Sequence, residues 1–123
     1  KPHTKDGCTI LVKLYQFDTS DTEQFHIDTK RAAFRPGLVE GLSVLPLHTA
    51  VNENVALMRW APGTRFTPHR HWGGEEIFVI EGTFADEHGS YPAGTWLRSP
   101  HLSEHKPYSD EGCLIYVKTG HRA

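Results

Sequence analysis

Glycine and proline cut this chain into runs too short to sustain a long helix. The breaks fall at Pro62-Gly63, Gly73-Gly74, Glu81-Gly82, His88-Gly89, Pro92-Ala93-Gly94, Ser99-Pro100 and Glu111-Gly112. Between them lie runs rich in β-branched and aromatic residues. Candidate strands are Cys8–Tyr15, Leu42–Leu47, Val55–Trp60, Thr64–Pro68, Glu76–Ile80, Gly82–Asp86, Thr95–Arg98 and Leu114–Lys118. No stretch free of Gly and Pro holds a helical apolar period. Many short strands at such spacing build a barrel or a sandwich. The expected fold class is therefore all-β.

With 123 residues, the chain fits one domain with a core of its own. Net charge is −2 with histidine neutral, so there is no basic excess to hold a phosphate backbone, and nucleic acid is not an expected partner. No apolar run approaches a membrane span. Only two cysteines are present, Cys8 and Cys113, each beside β-branched or aliphatic residues. They are expected to be buried structural thiols of a reducing, cytoplasmic setting rather than a disulfide.

Two segments read nearly alike. Lys1-Pro2-His3-Thr4-Lys5-Asp6-Gly7-Cys8-Thr9-Ile10-Leu11-Val12-Lys13 matches Lys106-Pro107-Tyr108-Ser109-Asp110-Glu111-Gly112-Cys113-Leu114-Ile115-Tyr116-Val117-Lys118 at seven of thirteen positions, with a constant offset of 105. An internal repeat of this kind points to duplicated architecture. Residues 1–17 are accordingly expected to be a terminal strand like the end of a preceding repeat. Residues 18–33 are a polar connector, in which Phe25 and Ile27 suggest a short edge strand. Residues 34–123 form the main domain.

The chemistry concentrates in Gly63-Thr64-Arg65-Phe66-Thr67-Pro68-His69-Arg70-His71-Trp72-Gly73-Gly74-Glu75. Residues two apart on a strand share a face, so His69 and His71 can aim at one point with Arg70 turned away. Gly73-Gly74 lets the chain bend back and return a carboxylate from Glu75. Two imidazoles and a carboxylate are a partial coordination sphere for a divalent ion. A fourth donor is expected downstream. His105, five residues after Pro100, is the better-spaced choice, and His101 competes with it.

These residues resemble the cupin superfamily. Its first motif, G-x5-H-x-H-x3-E-x6-G, is met at Gly63, His69, His71, Glu75 and Gly82 with every spacer intact. Glu76 would also follow the second histidine, but it leaves the wrong spacer to Gly82. In the second motif Leu97 stands where P-x-G-x2-H would place histidine, while the looser G-x5-P-x4-H fits Gly94, Pro100 and His105. Gly73-Gly74-Glu75-Glu76-Ile77-Phe78-Val79-Ile80-Glu81-Gly82, Asp86-Glu87-His88-Gly89, Tyr91-Pro92-Ala93-Gly94-Thr95 and Ser109-Asp110-Glu111-Gly112-Cys113 are similar to the ChrR-type cupin, the C-terminal domain of ChrR-like anti-sigma factors. The resemblance implies a double-stranded β-helix, or jelly roll. It implies His69, His71, Glu75 and His105 as metal ligands, with zinc favoured and iron, manganese or nickel suited to the same donors. It also implies tandem copies in some relatives.

Two function classes follow from the resemblance. One is a metal-binding sensory or regulatory domain responding to oxidants. The other is a metal-dependent dioxygenase acting on a small diketone or phenolic ketone. A plain assembly or storage module is a third. A homodimer and a small molecule in the barrel are expected partners. Elsewhere, Trp60, Trp96, Phe66, Phe78 and Phe84 read as barrel lining, and Trp72 as packing near the metal mouth. Arg59, Arg70 and Arg98 read as outer-face residues and Asp86-Glu87-His88 as a hairpin turn. Glu104 could orient the ring of His105 or be a surface acid. His3, His26, His48, His88 and His121 have no matched partners in the sequence.

Overall fold

The computed structural model describes residues 1–50 and 53–120. His121 and the last residues of the expected main domain lie outside the described residues. The described residues form eleven strands: β1 Arg35–Pro36, β2 Leu42–Ala50, β3 Glu53–Trp60, β4 Thr64–Arg65, β5 His69–Arg70, β6 Glu75–Asp86, β7 Gly89–Pro92, β8 Trp96–Ser99, β9 Glu104–His105, β10 Tyr108–Ser109 and β11 Cys113–Thr119. Among the described residues there is no helix. The all-β expectation holds, and the strands roll into a jelly roll.

β6 organises the roll. Its first half lies between β11 and β8 in one sheet; its second half pairs with β7 and β10 in the opposite wall. The turn-over point is Gly82, at φ 72°. A Cβ there would stand 2.1 Å from the Gly112 carbonyl oxygen, so only glycine lets the two chains cross this closely. The sequence splits this element into two strands at Glu81-Gly82. The structure keeps one continuous strand, because glycine bends the ladder without ending it.

The first wall has the order β1-β2-β3-β11-β6, with β8 on the far side of β6. Alternation sends Ile77 and Val79 of β6, Ile115 and Val117 of β11, and Trp60 of β3 into the barrel with Phe84 and Leu42. Trp60 and Phe84 meet edge to face at 5.4 Å. A second, smaller cluster of Leu45, Leu57 and Leu114 lies on the outer side, where Ala32 and Phe34 pack against it.

Several expectations are corrected. Cys8–Tyr15 forms no strand, and Cys8 is exposed rather than buried, whereas Cys113 is in the core. Residues around Phe25 and Ile27 form no edge strand either. Strand propensity needs a ladder partner, and this arm lies across the sheet face instead of along an edge. Thr64–Pro68 is shortened to β4, with β5 beginning only at His69. Pro68 has no N–H to donate to a ladder, which favours that break. The segment Gly89–Pro92, whose Gly89 and Pro92 read from the sequence as turn punctuation and which lies outside the candidate strands, is a strand paired to β6. Trp96 and Phe78 face outward, because they share the outer side of the pleat with Glu76 and Ile80.

Candidate metal centre

A two-stranded patch, β5 against β9, builds the base of the site. Its register sets His69 opposite His105 and Arg70 opposite Glu104. The two histidines therefore face the same side, while Arg70 and Glu104 pair with each other outside. Glu104 is thus a surface acid held by Arg70, not the residue that orients His105.

Past β5 the chain turns at Gly73 and Gly74, both at positive φ. The His71 carbonyl accepts from Gly74 N–H and from Leu102 N–H, which fixes the turn. A Cβ on Gly74 would come within 2.7 Å of the Ser99 carbonyl oxygen. The bend delivers Glu75 as the first residue of β6, pointing inward.

Four side chains now converge. His71 Nε2 lies 3.0 Å from His105 Nε2, and His69 Nε2 lies 3.3 Å from the same atom. Glu75 Oε2 is 3.0 Å from His71 Nε2, and Oε1 is 3.4 Å from His105 Nε2. One donor atom from each of the four falls within 4.8 Å of the others. His69 Nδ1 donates to the Thr67 carbonyl at 2.8 Å, which leaves its Nε2 bare. Burial lowers the pKa of His105, opposed by the charge of Glu75 and assisted by His69 and His71. Asp86 opposes it more weakly than Glu75, and the net lowering favours the neutral ring, the form a metal requires.

The donor set fits a divalent ion. Glu75 Oε1 is buried and accepts no hydrogen bond. An acceptor left in that state is costly unless a cation or a donor satisfies it. Three imidazole nitrogens and one carboxylate are suited to zinc, iron, manganese or nickel.

The cluster stands at the side of a cavity of about 490 Å³ inside the barrel. Its walls include Met58, Trp60, Phe66, Ile77, Phe84 and Ile115. The cation on its lining, Arg70, is already paired with Glu104. Trp72 is exposed at the rim against the ring of His101. His101 does not join the cluster; its Nδ1 accepts from Gly73 N–H at 2.8 Å.

Sequence reasoning missed two things here. Asp86, read only as part of a turn, lies half-buried beside the site, with Oδ2 3.9 Å from His105 Nδ1. His48, read as lacking a partner, lies 2.9 Å from Asp21 and 3.6 Å from Glu23, and fastens the connector to β2. No short-range spacing could announce either, since the partners meet across separate elements. Arg59 is an outer-face residue as expected, paired to Glu81 and lying over the Phe34 ring.

A jelly roll with three histidines and one glutamate converging inside it defines a β-barrel of the cupin class with a candidate metal centre. The family model described as the ChrR cupin-like domain matches residues 22–123, and the chain belongs to that family. A comparison with curated protein sequences returns no match. Among solved structures, a putative acetylacetone dioxygenase from Methylibium petroleiphilum superposes with a TM-score of 0.75 at 16% identity, covering 85% of this chain and 81% of that one. The Rhodobacter sphaeroides complex of SigE with the anti-sigma ChrR gives 0.66 at 25% identity, covering 73% of this chain and 50% of that one. A Ralstonia eutropha protein of unknown function with a cupin-like fold gives 0.61 at 21% identity, covering 66% and 56%. The chain thus spans about half the length of the ChrR and Ralstonia chains that it matches.

Proposed function

We propose that this chain is a divalent-metal-binding cupin domain with a sensory or regulatory role in oxidant response, holding zinc on His69, His71, Glu75 and His105. One observation carries the metal reading: three Nε2 atoms and a buried carboxylate, one oxygen of it without a hydrogen bond, meet at the wall of the barrel. When bound, such an ion supplies Lewis acidity and a charge that holds an oxygen donor. The chain's own part is to favour the neutral ring of His105, to orient the imidazoles and to line the site with an apolar wall. The regulatory reading draws support from family membership and from the likeness to the anti-sigma ChrR.

A second reading has a specific observation in its favour. The cavity beside the cluster is apolar, and its cation is already paired. That suits a small, uncharged ligand with an oxygen donor better than a sugar acid or a phosphate. A dioxygenase acting on a diketone or phenolic ketone with iron would use such a pocket, and one structural neighbour is named as a putative acetylacetone dioxygenase.

Elemental analysis of protein purified without added metal separates the readings. Zinc at one equivalent, with no oxygen uptake on a diketone, is expected. Iron at one equivalent with oxygen uptake would favour the enzyme, and the absence of any metal would sink both.

A homodimer in the cytoplasm belongs to the same proposal. Ile10, Leu11 and Val12 are exposed on one arm and line a groove with exposed Ile80 and Trp96, and exposed Leu14, Tyr15 and Phe17 follow along the arm. A contiguous apolar surface of this kind marks an interface, and a second copy would cover it. The exposed thiol of Cys8 fits a reducing compartment. Sedimentation is expected to give a dimer that Leu14→Glu dissociates.

A further inference from the structure

Given the metal-binding role proposed above, we infer that Asp86 is the positioning residue for His105, holding the ring proton on Nδ1 so that Nε2 is bare and turned to the metal. Asp86 closes β6, and its side chain is only 10% exposed. Two donors fix its carboxylate. Oδ1 accepts from the His88 N–H at 2.8 Å and from the phenol O–H of Tyr91 at 3.0 Å. Oδ2 is the oxygen left over, and it faces His105 Nδ1 at 3.9 Å. That separation is longer than a hydrogen bond, so Asp86 acts as an aimed negative charge. Its charge favours a proton on Nδ1, against Glu75, which faces Nε2 at 3.4 Å and whose own charge a bound cation would take up.

The opposite edge of the ring completes the case. His105 Nε2 faces His71, His69 and Glu75 at 3.0, 3.3 and 3.4 Å. The ring thus has one edge toward a fixed acid and the other toward the donor cluster. The same turn grips the backbone: Glu87 Oε2 accepts from Lys106 N–H at 2.7 Å, one residue beyond His105. Residues 86 and 87 therefore hold both the ring and the chain of the ligand that arrives from furthest along the sequence. A carboxylate behind a ligating histidine fixes its tautomer and raises its basicity.

Asp86→Asn makes a sharp test. The two donors on Oδ1 would retain the amide oxygen, so the NH₂ would replace Oδ2 opposite His105. Two donors would then face each other, and the ring would move its proton to Nε2, the wrong nitrogen for a metal. Zinc affinity, measured by competition with a chelator, is expected to fall about 10- to 100-fold. Circular dichroism should show an unchanged fold. Nitrogen NMR of the metal-free protein, above the histidine titration range, is expected to show a larger share of His105 protonated at Nδ1 in the wild type than in Asp86→Asn. Wild-type zinc affinity with an unmoved proton in the variant would overturn the inference. Should Asp86→Asn not fold, Asp86→Ser replaces it in both measurements, and wild-type values there overturn the inference too. A wild-type protein that takes up no zinc defeats the metal role, and the tautomer still tests Asp86.

Discussion

Glu75 and Glu76 are neighbours on β6, both buried, and they do opposite work. Glu75 is 5% exposed and points into the barrel, at His71 and His105. Glu76 is 7% exposed and points out, where Lys13 Nζ meets Oε2 at 2.5 Å and Trp96 Nε1–H donates to Oε1 at 2.9 Å. The inner acid is surrounded by imidazole rings and has an oxygen without a hydrogen bond. The outer acid is compensated by a cation and a donor. A buried charge persists only when something opposite accompanies it. On the outside that partner is the chain's own arm; on the inside the unfilled demand is what points to a metal.

The largest effect should separate the two acids directly. Glu75→Gln removes the charged ligand, and its loss of metal affinity is expected to exceed the roughly 100-fold seen for outer-sphere changes. Glu76→Gln should leave metal content at the wild-type level, as elemental analysis would show. Equal losses in both variants would break the distinction. His71→Ala is expected to abolish stoichiometric metal as Glu75→Gln does, and to lower the melting temperature.

The inner and outer faces should also differ in stability. Phe84 is 1% exposed between Trp60 and Tyr91, so Phe84→Ala is expected to cost about 3–5 kcal/mol in urea unfolding. Trp96 is 53% exposed, and Trp96→Ala should cost about 1 kcal/mol, mostly its hydrogen bond to Glu76. Lys13→Ala takes the cation from the buried Glu76 and should cost about 1–3 kcal/mol.

The smallest effect concerns Tyr91 at the back of the site. Burial, and then its hydrogen bond to Asp86, push the phenol up to about 12. The unfolded chain would ionise it near 10. The folded state thus holds the proton more tightly, so this contribution to stability is whole below about pH 10 and is lost as pH rises toward 12. Ultraviolet titration of the four tyrosines should find Tyr91 titrating late, as should Tyr116, which burial also raises, and Tyr91→Phe should remove one of the late steps.

Much of the site was legible because it is local. His69, His71 and Glu75 lie within seven residues, and the period of a strand plus a glycine bend dictates where they point. The fold class was legible for the same reason, since turn chemistry and strand propensity act over a few residues. The repeat misled at Cys8–Tyr15. Sharing seven of thirteen residues with the segment ending in β11 did not make the arm a strand, because β11 is a strand by virtue of lying between β3 and β6. Trp96 and Phe78 misled because apolar character does not say which side of a pleat is inside.

By itself, the sequence determined an all-β roll and three of the four converging donors, through contacts within a few residues of each other. Only the tertiary structure decided that β5 lies against β9, which seats His105 opposite His69 and leaves His101 outside. It alone revealed Asp86 behind His105, and Lys13 beside Glu76 across 63 positions of chain. Burial and long-range pairing set those neighbours, and both are properties of the rolled sheet rather than of any short stretch of residues.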